Sequence, residues 1–271
     1  MGRVVVMGYL SMDSITVAGE AQRSMPGGAA LYAALGARMA GAEVAMLAAS
    51  GEDWPEAWTA EARRCGIECA GLERRAGPTR RARLTYAADG SRNSAHHAEA
   101  AWWDRTAALL PPLPTRLGHD DVLVLAPMPT SQAARALDAA GPVRAVADTS
   151  EAFAKEEAAA LRDLLPRLAL FAPSREEAVL LRPLRGCTVV EKRGAEGLAL
   201  MAAGQPPQVF PPPPVVALDP TGAGDATVGA IAAGLAAGRA LPDALRDAVA
   251  VGARTVTAHG PAALGFQVRR A

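Results

Sequence analysis

Six short apolar runs rich in β-branched residues recur along the chain: Val4-Val5-Val6-Met7, Val44 to Ala48, Val122 to Ala126, Val143 to Ala147, Leu168 to Phe171 and Thr188-Val189-Val190. Between them the apolar residues fall at helical spacing, over about 28–40, 130–140, 151–164, 174–182, 224–237 and 242–258. Strands that alternate with helices pair in parallel, because a parallel partner needs a crossover and a helix is the usual one. The expected fold class is therefore α/β, with a mostly parallel central sheet and helices on both faces. Gly41, Gly141 and Gly238 stand where helix C-terminal caps are wanted. With 271 residues, half of them apolar, the chain can bury one substantial core, so a single domain over residues 1–271 is expected.

Two segments leave this alternation, about 14–26 and 79–98, and both read as exposed strands with polar faces. An Asp-Gly turn at Ala88-Asp89-Gly90-Ser91 follows the strand Arg81 to Tyr86. Together they are expected to form a small β lid over one end of the sheet. An uncovered lid sheet commonly needs a partner, which makes a homodimer through the lid an expectation too. Pro206-Pro207 and Pro211 to Pro214 mark a stiff connection, read as a loop.

Charge excludes some functions. Twenty-eight basic and twenty-eight acidic residues cancel, so nothing in the whole-chain charge argues for nucleic acid or an anionic membrane as partner. Cys65, Cys69 and Cys187 are odd in number and lack Cys-x-x-Cys spacing, which suggests neither a disulfide framework nor a zinc cage and fits a cytoplasmic location. Met1 to Met12 reads as a first strand rather than a signal segment, and Ala226 to Gly238 is too short to span a membrane.

The chemistry concentrates in Asp219-Pro220-Thr221-Gly222-Ala223-Gly224-Asp225, which feeds a helix with Val228, Ile231 and Leu235 on one stripe. A glycine-rich turn into a helix leaves unpaired N–H groups at the positive end of the dipole, a ready site for phosphate. An aspartate there repels phosphate unless it serves another purpose, and accepting a proton from an attacking hydroxyl is such a purpose. The segment is not a P-loop, since no Gly-Lys-Ser/Thr follows, nor a dinucleotide fingerprint, since Thr227 holds the third glycine position. From the residues alone, Asp225 could instead be the N-cap of a tightly packed helix.

This segment resembles the C-terminal signature of the PfkB carbohydrate kinases, Asp-Thr-x-Gly-Ala-Gly-Asp, of the ribokinase-like superfamily. The resemblance implies a ribokinase-like three-layer sandwich, Asp225 as catalytic base, and an anion hole from the amides of Gly222, Ala223, Gly224 and Asp225. It extends along nearly the whole chain. Gly8 to Asp13 resembles the opening strand with its substrate-binding aspartate, and Gly27-Gly28 before a small-residue helix resembles the N-terminal signature beside the acceptor. Gly51-Glu52-Asp53 is similar to the family's Gly-x-Asp. Ser174 to Glu177 is similar to the Asn-x-x-Glu element, which implies that Glu177 holds Mg2+ through water. Lys192, Gly194 and Gly197 resemble the segment near the nucleotide phosphates, with Ser174 and Thr221 as further nucleotide contacts. The helix containing Ala253 falls where the family closes over adenine. The implied activity is transfer of phosphate from ATP to the hydroxyl of a small-molecule alcohol: a neutral polyol, sugar, cyclitol or nucleoside. A catalytically silent binding member, or a hydroxymethylpyrimidine or pyridoxal-type kinase, would carry much of the same pattern.

The chain departs from that pattern at three positions. Tyr32 replaces an asparagine that touches sugar hydroxyls, Ser174 replaces the usual asparagine, and Lys192-Arg193 stands where many members have threonine. Tyr32 is expected to pack against an acceptor ring. Arg74, Arg75, Arg80, Arg81 and Arg83 read as a surface ribbon, although a lid arginine folded inward could engage a substrate phosphate. His96-His97, His119 and His259 lack the helical spacing of metal ligands, and Trp102-Trp103 reads as an anchor to the core.

Overall fold

A computed structural model describes residues 2–17, 19–87, 92–93, 99–202 and 204–268. The turn at 88–91 and the histidine pair at 96–97 lie outside them. The strands are β1 (Val4–Met7), β2 (Ser11–Val17), β3 (Arg23–Gly27), β4 (Val44–Ser50), β5 (Ile67–Glu68), β6 (Leu72–Arg74), β7 (Arg81–Tyr86), β8 (Arg92–Asn93), β9 (Val122–Leu125), β10 (Arg144–Ala147), β11 (Leu170–Phe171), β12 (Thr188–Lys192), β13 (Leu198–Met201) and β14 (Gln208–Phe210). The helices are α1 (Ala29–Met39), α2 (Glu56–Arg64), α3 (Ala100–Ala108), α4 (Thr130–Ala140), α5 (Glu151–Glu156), α6 (Ala158–Leu164), α7 (Arg175–Leu181), α8 (Ala223–Ala236) and α9 (Leu241–Thr255).

The main sheet runs β14-β13-β12-β11-β10-β9-β1-β4-β5, with β6 extending β4. It is parallel from β12 to β5, and β1 sits centrally, Val4 facing both Val44 and Val122. Burial alternates with the pleat: Val4 and Val6 join the core under α1, α2, α8 and α9, while Val5 and Met7 join the core under α3 to α7. A strand buried on both faces must be apolar throughout, which is why the runs lack alternation. Helices α1 and α8 pack backbone to backbone through alanine and glycine, since a side chain at Gly36 would overlap Ala226. Among the described residues, no helix is long and apolar enough to cross a membrane.

The expected strands and helices are present, with informative differences. The helix expected over 151–164 breaks at Glu157, whose carboxylate accepts the Thr130 N–H at 2.6 Å and so caps α4. The fifth run is ordered as a strand only at its last two residues, and α9 stops at Thr255, three short of the expected end. Helices α2 and α3 and the antiparallel edge β13-β14 were not expected.

The segments set aside as a lid form a second sheet, ordered β3-β2-β7-β8, with β2 antiparallel to β3 and parallel to β7. Ile15, Leu84 and Tyr86 form its own small core.

Candidate active site

The carboxyl ends of the parallel strands open into one cleft of about 800 Å3. Tyr9 follows β1, Pro127 follows β9, Asp148 and Thr149 follow β10, Ser174 follows β11 and Lys192 ends β12, and all of them line it. Ligands of open α/β sheets bind at this edge. The small sheet covers the cleft with Asp13, Ala82, Leu84 and Tyr86, and the turn before α8 contributes Pro220, Thr221, Gly222, Gly224 and Asp225.

The turn is held from several directions. Asp219 is buried and accepts the Thr221 N–H at 2.9 Å and the Gly260 N–H at 2.8 Å. The Thr221 hydroxyl donates to the Tyr86 hydroxyl at 3.0 Å, which ties the small sheet to the turn. Gly222 takes a left-handed φ of 74° at the N-cap of α8, and any side chain on it would overlap the Tyr32 ring. Asp225 is therefore not the cap residue but sits within the first helical turn. Gly224 differs from Gly222, for an added β carbon would lie 3.5 Å from the Lys192 chain, an ordinary contact. The Ala223 N–H is already engaged by the Pro220 carbonyl at 3.3 Å.

Asp13 is buried in β2 at the other side chain cluster of the cleft. It accepts the Ser11 hydroxyl at 2.5 Å and the Gly28 N–H. Desolvation raises its pKa from 3.8 to about 6, with the Ser11 bond and the Arg80 charge pulling against the shift. Gly27 makes room for this carboxylate, since a β carbon there would collide with it. Tyr32, on α1, is buried, and its hydroxyl has no partner among the described residues. Burial and the carboxylates of Asp13, Asp219 and Asp225 hold its pKa well above the ordinary phenol value, so it stays neutral and able to donate. Its ring lies against Gly222 and lines the cleft.

Lys192 pairs with Asp148 at the end of β10. Burial disfavours its ammonium, but Asp148, Glu177 and Asp225 outweigh burial and raise its pKa above the ordinary lysine value. Ser174 and Glu177 form a capping box on α7: the Glu177 carboxylate accepts the Ser174 N–H at 2.7 Å and the Ser174 hydroxyl accepts the Glu177 N–H at 3.2 Å. Among the described residues, no group of three or more His, Cys, Asp or Glu side chains is placed to cage a metal ion.

Of the residues singled out from sequence, Asp13, Gly28, Tyr32, Ser174, Glu177, Lys192, Gly194, Thr221, Gly222, Gly224 and Asp225 line the cleft. Gly27, Ala223, Gly197 and Ala253 do not. Gly197 packs under the Phe210 carbonyl, and Ala253 is buried in α9 next to an outer hollow lined by Pro213, Val215, Ala250 and Arg254. The arginine ribbon divides: Arg81 pairs with Asp53 and Arg83 with Glu99, while Arg80 turns inward. Sequence reasoning missed Arg80, Asp148 and Tyr86 as cleft residues. The pleat carries a signal for two of them, because Arg80 shares a face with Leu84 and Tyr86.

A family profile described as pfkB family carbohydrate kinase matches residues 1–265. A cytidine kinase of Thermococcus kodakarensis is 28% identical over 261 residues, covering 90% of this chain and 92% of that protein. Among solved structures, ribokinase from Cryptococcus neoformans in complex with ADP superimposes with a TM-score of 0.75 at 21% identity, over 96% of this chain and 95% of that one. The Burkholderia thailandensis nucleoside kinase in complex with inosine gives a TM-score of 0.75 at 18% identity, over 95% and 92%.

Proposed function

Because the chain belongs to the pfkB family of carbohydrate kinases and is a small-molecule kinase, we propose that it transfers the γ-phosphoryl group of ATP to a hydroxyl of a neutral nucleoside, sugar or cyclitol. The observation that carries this reading is a single cleft shared by Asp13, Asp225 and the N-terminus of α8. The acceptor's hydroxyl pairs hydrogen-bond to Asp13 and to the unpartnered Tyr32 hydroxyl, which fixes the reacting hydroxyl toward Asp225. Asp225 receives its proton as the phosphoryl group is attacked. The amides of Gly222, Gly224 and Asp225 and the α8 dipole stabilise the charge on the transferring group. Because the Ala223 amide bonds to Pro220, it takes the smallest share of that anion hole.

Lys192 exchanges Asp148 for a phosphate oxygen, with Ser174, Gly194 and Thr221 along the phosphate path and Gly197 shaping the turn behind it. Adenine rests in the apolar hollow beside Ala253. Mg2+ binds proteins through one or two carboxylates plus substrate phosphates and water, so the Glu177 carboxylate near Lys192 fits a water-mediated role without a protein cage. There it would neutralise charge between the phosphates. The small sheet acts as the lid that excludes water as a competing acceptor.

The likeness to a cytidine kinase supports nucleosides, rather than ribose or fructose 6-phosphate, as acceptors of this chain. ADP release from ATP and Mg2+ over a panel of cytidine, adenosine, inositol, ribose and fructose 6-phosphate tests the proposal. The expected result is acceptor-dependent ADP with a neutral acceptor preferred, and no acceptor-dependent ADP with any of them would refute it.

A further inference from the structure

Arg80 and Arg81 of the 74–83 ribbon both line the cleft, but Arg81 is exposed and paired with Asp53 while Arg80 is buried, and its surroundings fit a binding group. Its backbone is fixed on both sides: Thr79 donates its N–H to Asp53 at 2.7 Å and accepts the Gly51 N–H on its hydroxyl at 3.0 Å, and the Arg80 carbonyl accepts the Met12 N–H at 2.9 Å. The guanidinium lies 4.1 Å from the Tyr9 ring centroid and 4.6 Å from that of Trp102. Trp102 is in turn locked against Trp103 and Phe153. Both rings are within cation–π reach of the guanidinium, a contact made through its plane that leaves the edge N–H groups for hydrogen bonding.

That edge is not satisfied by the protein. Arg80 is 9% exposed, makes no salt bridge among the described residues, and its Nε has no hydrogen-bond partner. Buried polar groups are nearly always paired, and a charged one costs most when it is not. Burial lowers its pKa to about 10, which still leaves it charged at neutral pH. The carboxylate whose charge acts on it is that of Asp13. A ligand that reaches both therefore meets an acceptor group at one end and a donor group at the other, with no net charge to match. A phosphate drawn to Arg80 would be opposed by Asp13. A planar group with an in-plane oxygen suits the guanidinium edge and the aromatic wall.

Resting on the kinase reading above, we infer that Arg80 is a specificity-determining residue for a neutral nucleoside acceptor, donating hydrogen bonds to a ring carbonyl of its base while Asp13 receives the sugar hydroxyls. Calorimetric titration of cytidine, uridine, adenosine, ribose and ribose 5-phosphate into wild type, Arg80→Met and Arg80→Lys, without nucleotide, reads this directly. Wild type should bind cytidine and uridine more tightly than adenosine, whose base has no ring carbonyl. In Arg80→Met the affinity ratio of cytidine to ribose should fall roughly ten- to a hundred-fold, the worth of a charged hydrogen bond. Arg80→Lys, which keeps the charge but not the fork, should fall between. Equal losses for cytidine and ribose would overturn the assignment and leave Arg80 a packing residue. A wild-type preference for ribose 5-phosphate that Arg80→Met removes would overturn it in favour of a phosphate clamp. If Arg80→Met does not fold, a wild-type affinity for adenosine equal to or above that for cytidine overturns it alone. Cytidine that binds as described but releases no ADP from ATP would refute the kinase reading and leave this inference standing.

Discussion

Gly222 and Gly224 stand two residues apart in one motif, yet only Gly222 combines a left-handed φ with the Tyr32 ring in the place of a β carbon. Gly222→Ala should lower stability by about 1–2 kcal/mol and cut turnover, whereas Gly224→Ala should melt close to wild type. Thermal melts and kcat of the pair check this, and equal melting temperatures would show that Tyr32 yields freely. Asp13 gives a second expectation. Its folded pKa of about 6 exceeds its ordinary 3.8, so the folded state binds the proton more tightly than the unfolded chain does. The stabilisation from that proton is complete below about pH 4 and is lost as pH rises through 6. At pH 7 to 8 Asp13→Asn, which removes the buried charge, should be more stable than wild type by about 3 kcal/mol at most, with the gap closing toward pH 4. The same variant should lose acceptor affinity, because an amide cannot accept from a hydroxyl pair as a carboxylate does. Melting curves against pH that run parallel for the two proteins would contradict the shift. At this scale the sequence singled out Asp13 and Asp225 by their likeness to the family's motifs, and both line the cleft. It carried Arg80 poorly, because five arginines in ten residues look like one solvated ribbon until the Asp53 and Glu99 partners of Arg81 and Arg83 are in place.

Among elements, α7 has its N-terminus built from the same two residues that the motif assigns to metal and nucleotide. Glutamine serves a capping box as well as glutamate does, so Glu177→Gln should leave the melting temperature nearly unchanged. It should raise the Mg2+ concentration needed for half-maximal rate, since the carboxylate charge is gone. Superimposable Mg2+ titrations would confine Glu177 to holding the helix. The continuous apolar runs of β1 and β9 and the apolar helices α8 and α9 could be read from the chain because burial sets their residues directly. The break between α5 and α6 could not, for Glu157 leaves its helix to cap α4, twenty-seven residues away in sequence. Short edge strands such as β13 and β14 are likewise fixed by pairing, not by their own residues.

For the whole molecule, the parallel sheet gathers loop residues from five strands at one edge, and the small sheet is fastened over them through Tyr86 and Thr221. That arrangement brings separate motifs, spread from Asp13 to Asp225, into one cleft. The central claim is that Asp225 takes the acceptor's proton within it. Steady-state ADP release by Asp225→Asn on the best acceptor, with ATP affinity measured alongside, tests this most directly. The account predicts turnover lower by roughly 100- to 10,000-fold with ATP affinity largely retained. Turnover near that of wild type would contradict it.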